Sequence, residues 1–297
     1  MIINSANLRI LTTGLRTNFQ AGIAAVQPMW ARFATEVPST TSEELYPWLD
    51  QIPGMRKWIG ERQVKNVKTS SYRLVNEDWE DTISVKGNAI SDDRYGIYSP
   101  IARMLGDAAA RQPDELVFAT LPQGFSTNCF DGQYYFDSDH PVLDAAGSLT
   151  SVSNVQTGAG SPWYLMDLTK ALKPIIFQNR QAPRFVAMDN PDDESVFTKK
   201  EFRYGADSRN TAGFGFWQTA FGSKADLTVA NFGAAYTAMT KLKGDYGVPL
   251  AITPNALVTG PTNRAAAEVI LKKANLAGGE SNLDFNRVEL VVVPWLG

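Results

Sequence analysis

"RKWIGERQVKNVKTSSYRLVNEDWEDTISVKGNAISDD", residues 56–93, separates its charge into two blocks. From Arg56 to Arg73 it carries six bases (Arg56, Lys57, Arg62, Lys65, Lys68 and Arg73) and one acid, Glu61. From Glu77 to Asp93 it carries six acids (Glu77, Asp78, Glu80, Asp81, Asp92 and Asp93) and one base, Lys86. Both blocks contain the alternation of a strand, as in Tyr72/Leu74 and Trp79/Ile83/Val85, and "NED" at 76–78 supplies turn residues. The pattern predicts a long two-stranded hairpin with a basic arm and an acidic arm. Opposed charges across it would add only about 0.2–1 kcal/mol per pair. Two strands without a continuous apolar face are marginal in water, so the hairpin must rest on something: its own domain or another subunit.

Upstream, residues 1–35 contain Arg9, Arg16 and Arg32 but no acid, and Leu11, Leu15 and Phe19 share one helical face. This helix either packs on its own domain or lies as an arm on a neighbour. "TEVPSTTSEELYPWLDQIPG" (35–54), with three prolines and a Thr/Ser cluster, reads as an irregular connector. Downstream, Ser99, Pro100 and the apolar positions Ile101, Leu105 and Ala108 predict a helix with a serine cap, kinked at Pro113 and ending before Pro122.

Between 163 and 221, "WYLM", "KPIIFQ", "RFVAM" and "FGFWQTAF" read as short strands, and the glycine-rich "GADSRNTAGFGF" (205–216) as a tight turn between two of them. One helix starts near Thr228, carries Phe232, Tyr236 and Met239 on one face and stops at Gly244; another runs from about Thr262 to Asn275. "PLAIT", "ALVTG" and "VELVVVP" read as buried strands.

The 297 residues suffice for one large domain or two moderate ones, and 44% hydrophobic with 20% charged residues is a globular composition. A net charge of −3 argues against a surface built throughout to hold nucleic acid. The single cysteine, Cys129, permits no intrachain disulfide. With no secretory pattern at the N-terminus and no apolar run long enough for a membrane span, a soluble protein made in the cytoplasm is expected.

The one histidine, His140, lies in "FDSDHP" (136–141) beside Asp137 and Asp139. A zinc site needs three or four ligands, usually His or Cys, and the chain has one of each. There is no G-x-S-x-G elbow and no phosphate-binding glycine pattern, and Cys129 reads as a small packed residue. The cluster therefore reads as a turn shaped by its aspartates and by Pro141, with no catalytic, cofactor or metal residues expected. An unmarked carboxylate pair, as in carbohydrate hydrolases, is the alternative from another class.

Taken together and in order, "RKWIGERQVKN", "DDRYGIYSP" leading into "LGDAAARQPDELVF", "FDGQYYFDSDHP", "RYGADSRNTAGFGFWQTAFGS" and "VVVPWL" resemble the major head subunit family of Mu-like transposable phages and prophages. The resemblance spans about residue 50 to the end. It implies a major capsid protein of α+β class with the HK97-type fold; an encapsulin-like compartment shell, which shares that fold, is the alternative within it. Its parts would be an N-terminal arm (1–52), an extended β-hairpin loop (53–92), a peripheral domain with a spine helix (93–225, the helix within 93–121) and an apical domain (226–297). It also implies self-assembly into pentamers and hexamers of an icosahedral virion shell around double-stranded DNA, contacted nonspecifically. The implied partners are a scaffold or protease, a portal and decoration proteins, with no membrane. The ten charged residues Arg56, Lys57, Arg62, Lys65, Lys68, Arg73, Glu77, Asp78, Glu80 and Asp81 are then expected at a subunit interface.

Overall fold

Leu8, Leu15 and Phe19 line the buried face of helix α1 (Ser5–Ala25), as their spacing requires. The computed structural model describes residues 5–50, 72–92, 97–190, 192–275 and 278–296. Helix α1 packs on its own chain, against the long helix at Tyr98–Gln123, and glycine makes the contact close. A Cβ on Gly22 would stand 2.1 Å from the Arg103 carbonyl oxygen, and one on Gly106 would stand 2.1 Å from that of Phe19. Beyond α1, the backbone amides of Met29 and Trp30 donate to the buried Asp114 carboxylate at 2.8 and 2.6 Å.

The stretch expected to be an irregular connector holds two strands, β1 (Ala34–Pro38) and β2 (Glu43–Leu45). Strands β3 (Arg73–Val75) and β4 (Glu77–Lys86) follow, then the short helix α2 (Gly87–Asp92) and α3 (Tyr98–Gln123). At 26 residues α3 is about 39 Å long. It runs through Pro113 and past Pro122, where a kink and an end were expected, and Ser99 lies inside it with no side-chain cap bond at its start. An interior proline costs about 3 kcal/mol. Burial offsets that cost, because Ala102 and Leu105 enter one apolar core and Val117, Phe118 and Leu121 another.

The chain continues through a hairpin, β5 (His140–Leu143) and β6 (Leu149–Val152), and strands β7 (Val155–Gln156), β8 (Trp163–Met166) and β9 (Ile175–Met188). Helix α4 (Glu194–Lys199), β10 (Glu201–Phe214), β11 (Ala220–Ser223), α5 (Val229–Thr240), β12 (Ala256–Thr259), α6 (Arg264–Lys272) and β13 (Glu289–Val292) complete it. Thr228 caps α5 through the Asn231 amide, as its sequence position suggests. "PLAIT" forms no strand.

One sheet has the order β1-β9-β10-β4, with β1 parallel to β9 and the other pairs antiparallel. "KPIIFQ" and "RFVAM", expected as separate strands, fall in the single 14-residue β9. The glycine-rich segment makes no tight turn, since 201–214 is the equally long β10. Gly213 serves close packing there: a Cβ would lie 2.3 Å from Leu74 Cδ2 and 2.8 Å from the Tyr72 hydroxyl.

A second sheet, β13-β12-β8-β11-β7, mixes strands from both sides of the 225/226 boundary expected between domains. That boundary therefore cuts through one sheet and one core, and 226–297 is not a separate structural unit. Pairing of β8 with β12 is what joins them. The chain end returns to α3, where the Trp295 ring stacks on Phe118 with centroids 6.0 Å apart.

Gly106→Ala should force α1 away from α3 and lower stability by about 1–3 kcal/mol, because the added methyl meets backbone rather than a movable side chain. Urea unfolding of the variant beside wild type measures this; coincident midpoints would refute the close-contact account.

Candidate functional site

The charged segment singled out in the sequence divides between two strand pairings. Arg56, Lys57, Arg62, Lys65 and Lys68 lie outside the described residues. Arg73 is on β3, which pairs with β2, and its guanidinium meets Glu43 at 3.2 Å. Glu77, Asp78, Glu80 and Asp81 are on β4, which pairs antiparallel with β10. The chain thus does not turn back at "NED". Asn76, the single residue between β3 and β4, is buried instead. It donates to Ser39 Oγ and the Thr41 carbonyl at 2.8 and 2.9 Å, and accepts from Gln178 Nε2 at 2.8 Å. Gln178 is itself fully buried and accepts from the Tyr46 hydroxyl at 2.6 Å. This polar network fixes the strands on either side of residues 51–71.

β4 is the edge of its sheet, and its burial follows the expected alternation: Val85 is buried, Trp79 and Ile83 are half-buried, and the four acids are exposed. Asp78 faces Arg209 across the ladder, with carboxylate and guanidinium 3.3 Å apart. Glu80 stands opposite Asp207, a like charge, but Asp207 is taken by Arg184 of β9 through contacts of 2.6 and 2.9 Å. That Arg184 hydrogen bond holds the Asp207 carboxyl below its usual range. Among the described residues, Glu77, Glu80 and Asp81 have no basic partner. An acidic edge of this kind repels a second acidic edge and offers its charge to a basic strand.

The "FDSDHP" cluster is not brought together. His140 begins β5 and is fully buried, whereas Asp137 and Asp139 remain on the turn. Asp137 accepts from the Tyr134 and Ser138 amides and Asp139 bonds to Asp137, a contact that raises the Asp139 carboxyl. The carboxylate that meets His140 is Asp131, 2.7 Å from Nδ1. Asn154 Oδ1 stands 3.2 Å from Nε2, and the Trp217 ring stacks on the imidazole at 3.9 Å. The Cys129 thiol donates to Asp131 at 3.1 Å.

Cys129, Asp131 and His140 thus form, among the described residues, the one group of three metal-ligand types. Their spacing is that of hydrogen bonds: ligands of one tetrahedral zinc stand about 3.3 Å apart. Nor is this a thiol–imidazole pair. The thiol bonds to the carboxylate, and burial pushes it well above its ordinary value, so it stays protonated. Burial works to raise the Asp131 carboxyl, but His140, Cys129 and the Gln133 amide outweigh it and hold the group low. Sequence spacing gave no sign of Asp131, Asn154 or Trp217 as partners. The Asp131–Gly132 pair marks a local turn, with Gly132 at φ +91°, but the turn does not name its distant contacts.

A family model described as Mu-like prophage major head subunit gpT matches residues 8–296. The chain is 39% identical over 295 residues to the Mu-like prophage FluMu major head subunit of Haemophilus influenzae, covering 96% of each. It is 37% identical to the major capsid protein of Escherichia phage Mu, covering all of both chains. Among solved structures, it resembles a subunit of the bacteriophage JBD30 procapsid, with TM-score 0.87, 41% identity, and 99% and 100% of the two chains covered.

Asp131→Ala should cost about 1–3 kcal/mol, since it leaves a buried ring nitrogen of His140 without its hydrogen-bond partner. Because the Asp131 carboxyl sits low in the fold, its contribution is complete above the ordinary aspartate value of about 3.9 and lost as pH falls through the depressed one. Calorimetry over acid pH should therefore show a shallower loss of stability in the variant; parallel curves would rule out a low-titrating Asp131 as the cause.

Proposed function

The chain belongs to the Mu-like prophage major head subunit family, and on that premise we propose how its surfaces build a shell. It is a structural subunit, a major capsid protein of the Mu-like phage type with an α+β, HK97-like fold, and it self-associates into the virion capsid. Full-length matches above 35% identity to head and capsid proteins favour this over the compartment-shell and hydrolase alternatives.

The finer assignments are our reading. Residues 1–52 form the arm, 53–92 the extended loop, and α3 the spine of the peripheral part. The apical part takes in both 124–168 and 215–296, because strands from both ranges share one sheet. Pentamers and hexamers form when the loop of one copy docks on the next. The observation that supports this is the exposed acidic edge of β4, where Glu77, Glu80 and Asp81 have no basic partner among the described residues while the same chain carries six bases at 56–73. Charge across such a contact sets register and excludes wrong partners more than it adds affinity. Contacts of this kind re-form at the differing angles of five-fold and six-fold clusters.

Arg9 and Arg16 are exposed on acid-free α1 and supply nonspecific contact with packaged double-stranded DNA, slight because so few phosphates are engaged. A scaffold or protease, a portal and decoration proteins are the remaining partners, with synthesis in the host cytoplasm and no cofactor.

Reversing the β4 acids (E77K, D78K, E80K and D81K together) should abolish closed shells while leaving the subunit folded. Reversing the bases Arg56, Lys57, Arg62, Lys65, Lys68 and Arg73 to Glu in the same chain should restore part of the assembly. Negative-stain microscopy with sedimentation reads the result. Normal shells from the first variant would dispose of charge-guided docking.

A further inference from the structure

Strand β4 closes one side of its sheet with half of its backbone unanswered. Its ten residues, Glu77–Lys86, pair with Glu201–Asn210 of β10 in unbroken register. Among the described residues, no backbone amide or carbonyl of β4 bonds outside that ladder. Alternate residues of an antiparallel strand turn these groups away from their partner, so about half of them face outward. We propose that this free edge is a strand-acceptor site, filled in the shell by residues 56–68 of a second copy, which add beside β4 through main-chain hydrogen bonds. The inference rests on the loop-docking reading above and names how the loop is held.

The devices that usually close an edge are missing here. β4 is about 34 Å long, with no proline and no bulge, and its one lysine is the last residue, Lys86. The opposite edge of the sheet, β1, is half that length and ends in Pro38. What β4 does carry is acid, which sets charge against charge if two β4 edges meet and so excludes that pairing. Val85 and Ile83 pack into the chain's own core. The edge therefore holds a partner by backbone and charge rather than by an apolar face.

The acids select the occupant. Glu77 and Asp81 lie on one face of β4 and Glu80 on the other, and among the described residues none of the three has a basic partner. Residues 56–68 contain five bases, one acid (Glu61) and no proline, so every residue brings an N–H. At a period of two, Lys57 and Lys65 fall on one face and Arg56, Arg62 and Lys68 on the other. Side by side, the two segments set bases against acids on both faces.

Hydrogen–deuterium exchange, read by mass spectrometry on peptides covering 77–86, compares the dissociated subunit with assembled shells. In the subunit about half of the β4 amides should exchange quickly, and in shells that half should slow by at least about tenfold. Quick amides in shells that still need the β4 acids would overturn strand addition alone. Shells indifferent to reversal of those acids would overturn the docking reading beneath it. Amides already slow in the dissociated subunit would mean that its own chain covers the edge, which also overturns the proposal. Thr82→Pro and Ile83→Pro give a second test, because neighbouring residues turn their N–H groups to opposite sides. One substitution should break the β10 ladder and cost the fold; the other should leave the subunit folded and form no shells. Normal shells from the folded variant would overturn the proposal.

Discussion

Helix α3 is shared by two apolar cores, and most of the subunit is placed by that sharing. Its first half meets α1, Val85, and the far ends of β9 and β10 through Phe185, Phe202 and Tyr204. Its second half enters the core to which the five-stranded sheet, α5 and α6 also contribute, and receives the returning C-terminus at Phe118. A helix about 39 Å long that is buried at both ends transmits one orientation to both sheets. This explains why two prolines are tolerated in it, since packing rather than the full backbone ladder determines its length.

Polar groups do the finer positioning. Asp114 fixes the chain after α1 by accepting two amides, and Gln178 ties Tyr46 and Asn76 to β9. His140 does the same for the three segments that carry Asp131, Asn154 and Trp217. In each case a buried polar side chain is matched by partners distant in sequence, so its loss exposes unsatisfied groups as well as removing a contact. For a shell subunit, such networks hold the core fixed.

Several elements were legible because they depend on local pattern. The amphipathic face of α1, the alternation of Trp79, Ile83 and Val85, the start of α5 near Thr228 and the apolar run of β13 all follow from local pattern. What misled was punctuation. Asn76 and its acidic neighbours carry turn chemistry, but Asn76 is occupied by Gln178 and Ser39, and β4 is claimed by β10. Gly205 and Gly213 suggest a turn, but they sit in β10, where their lack of side chain admits Asp81 and Leu74. The His140 cluster was half legible: burial of a lone histidine was foreseeable from no local pattern, and Asp131 was chosen over the adjacent Asp137 and Asp139 because the chain returns on itself between them.

By itself the sequence determined the helical and strand periodicities, the division of charge into basic and acidic blocks, and, through the ordered motifs, the kinship with phage head subunits. These are properties of neighbouring residues or of composition, which survive without knowledge of contacts. Tertiary structure decided the strand partners, the single sheet that crosses the expected domain boundary, the glycine contact between α1 and α3, and the carboxylate that His140 meets. Each of these depends on which surfaces meet in space, and contact between segments separated along the chain leaves no periodic trace in it.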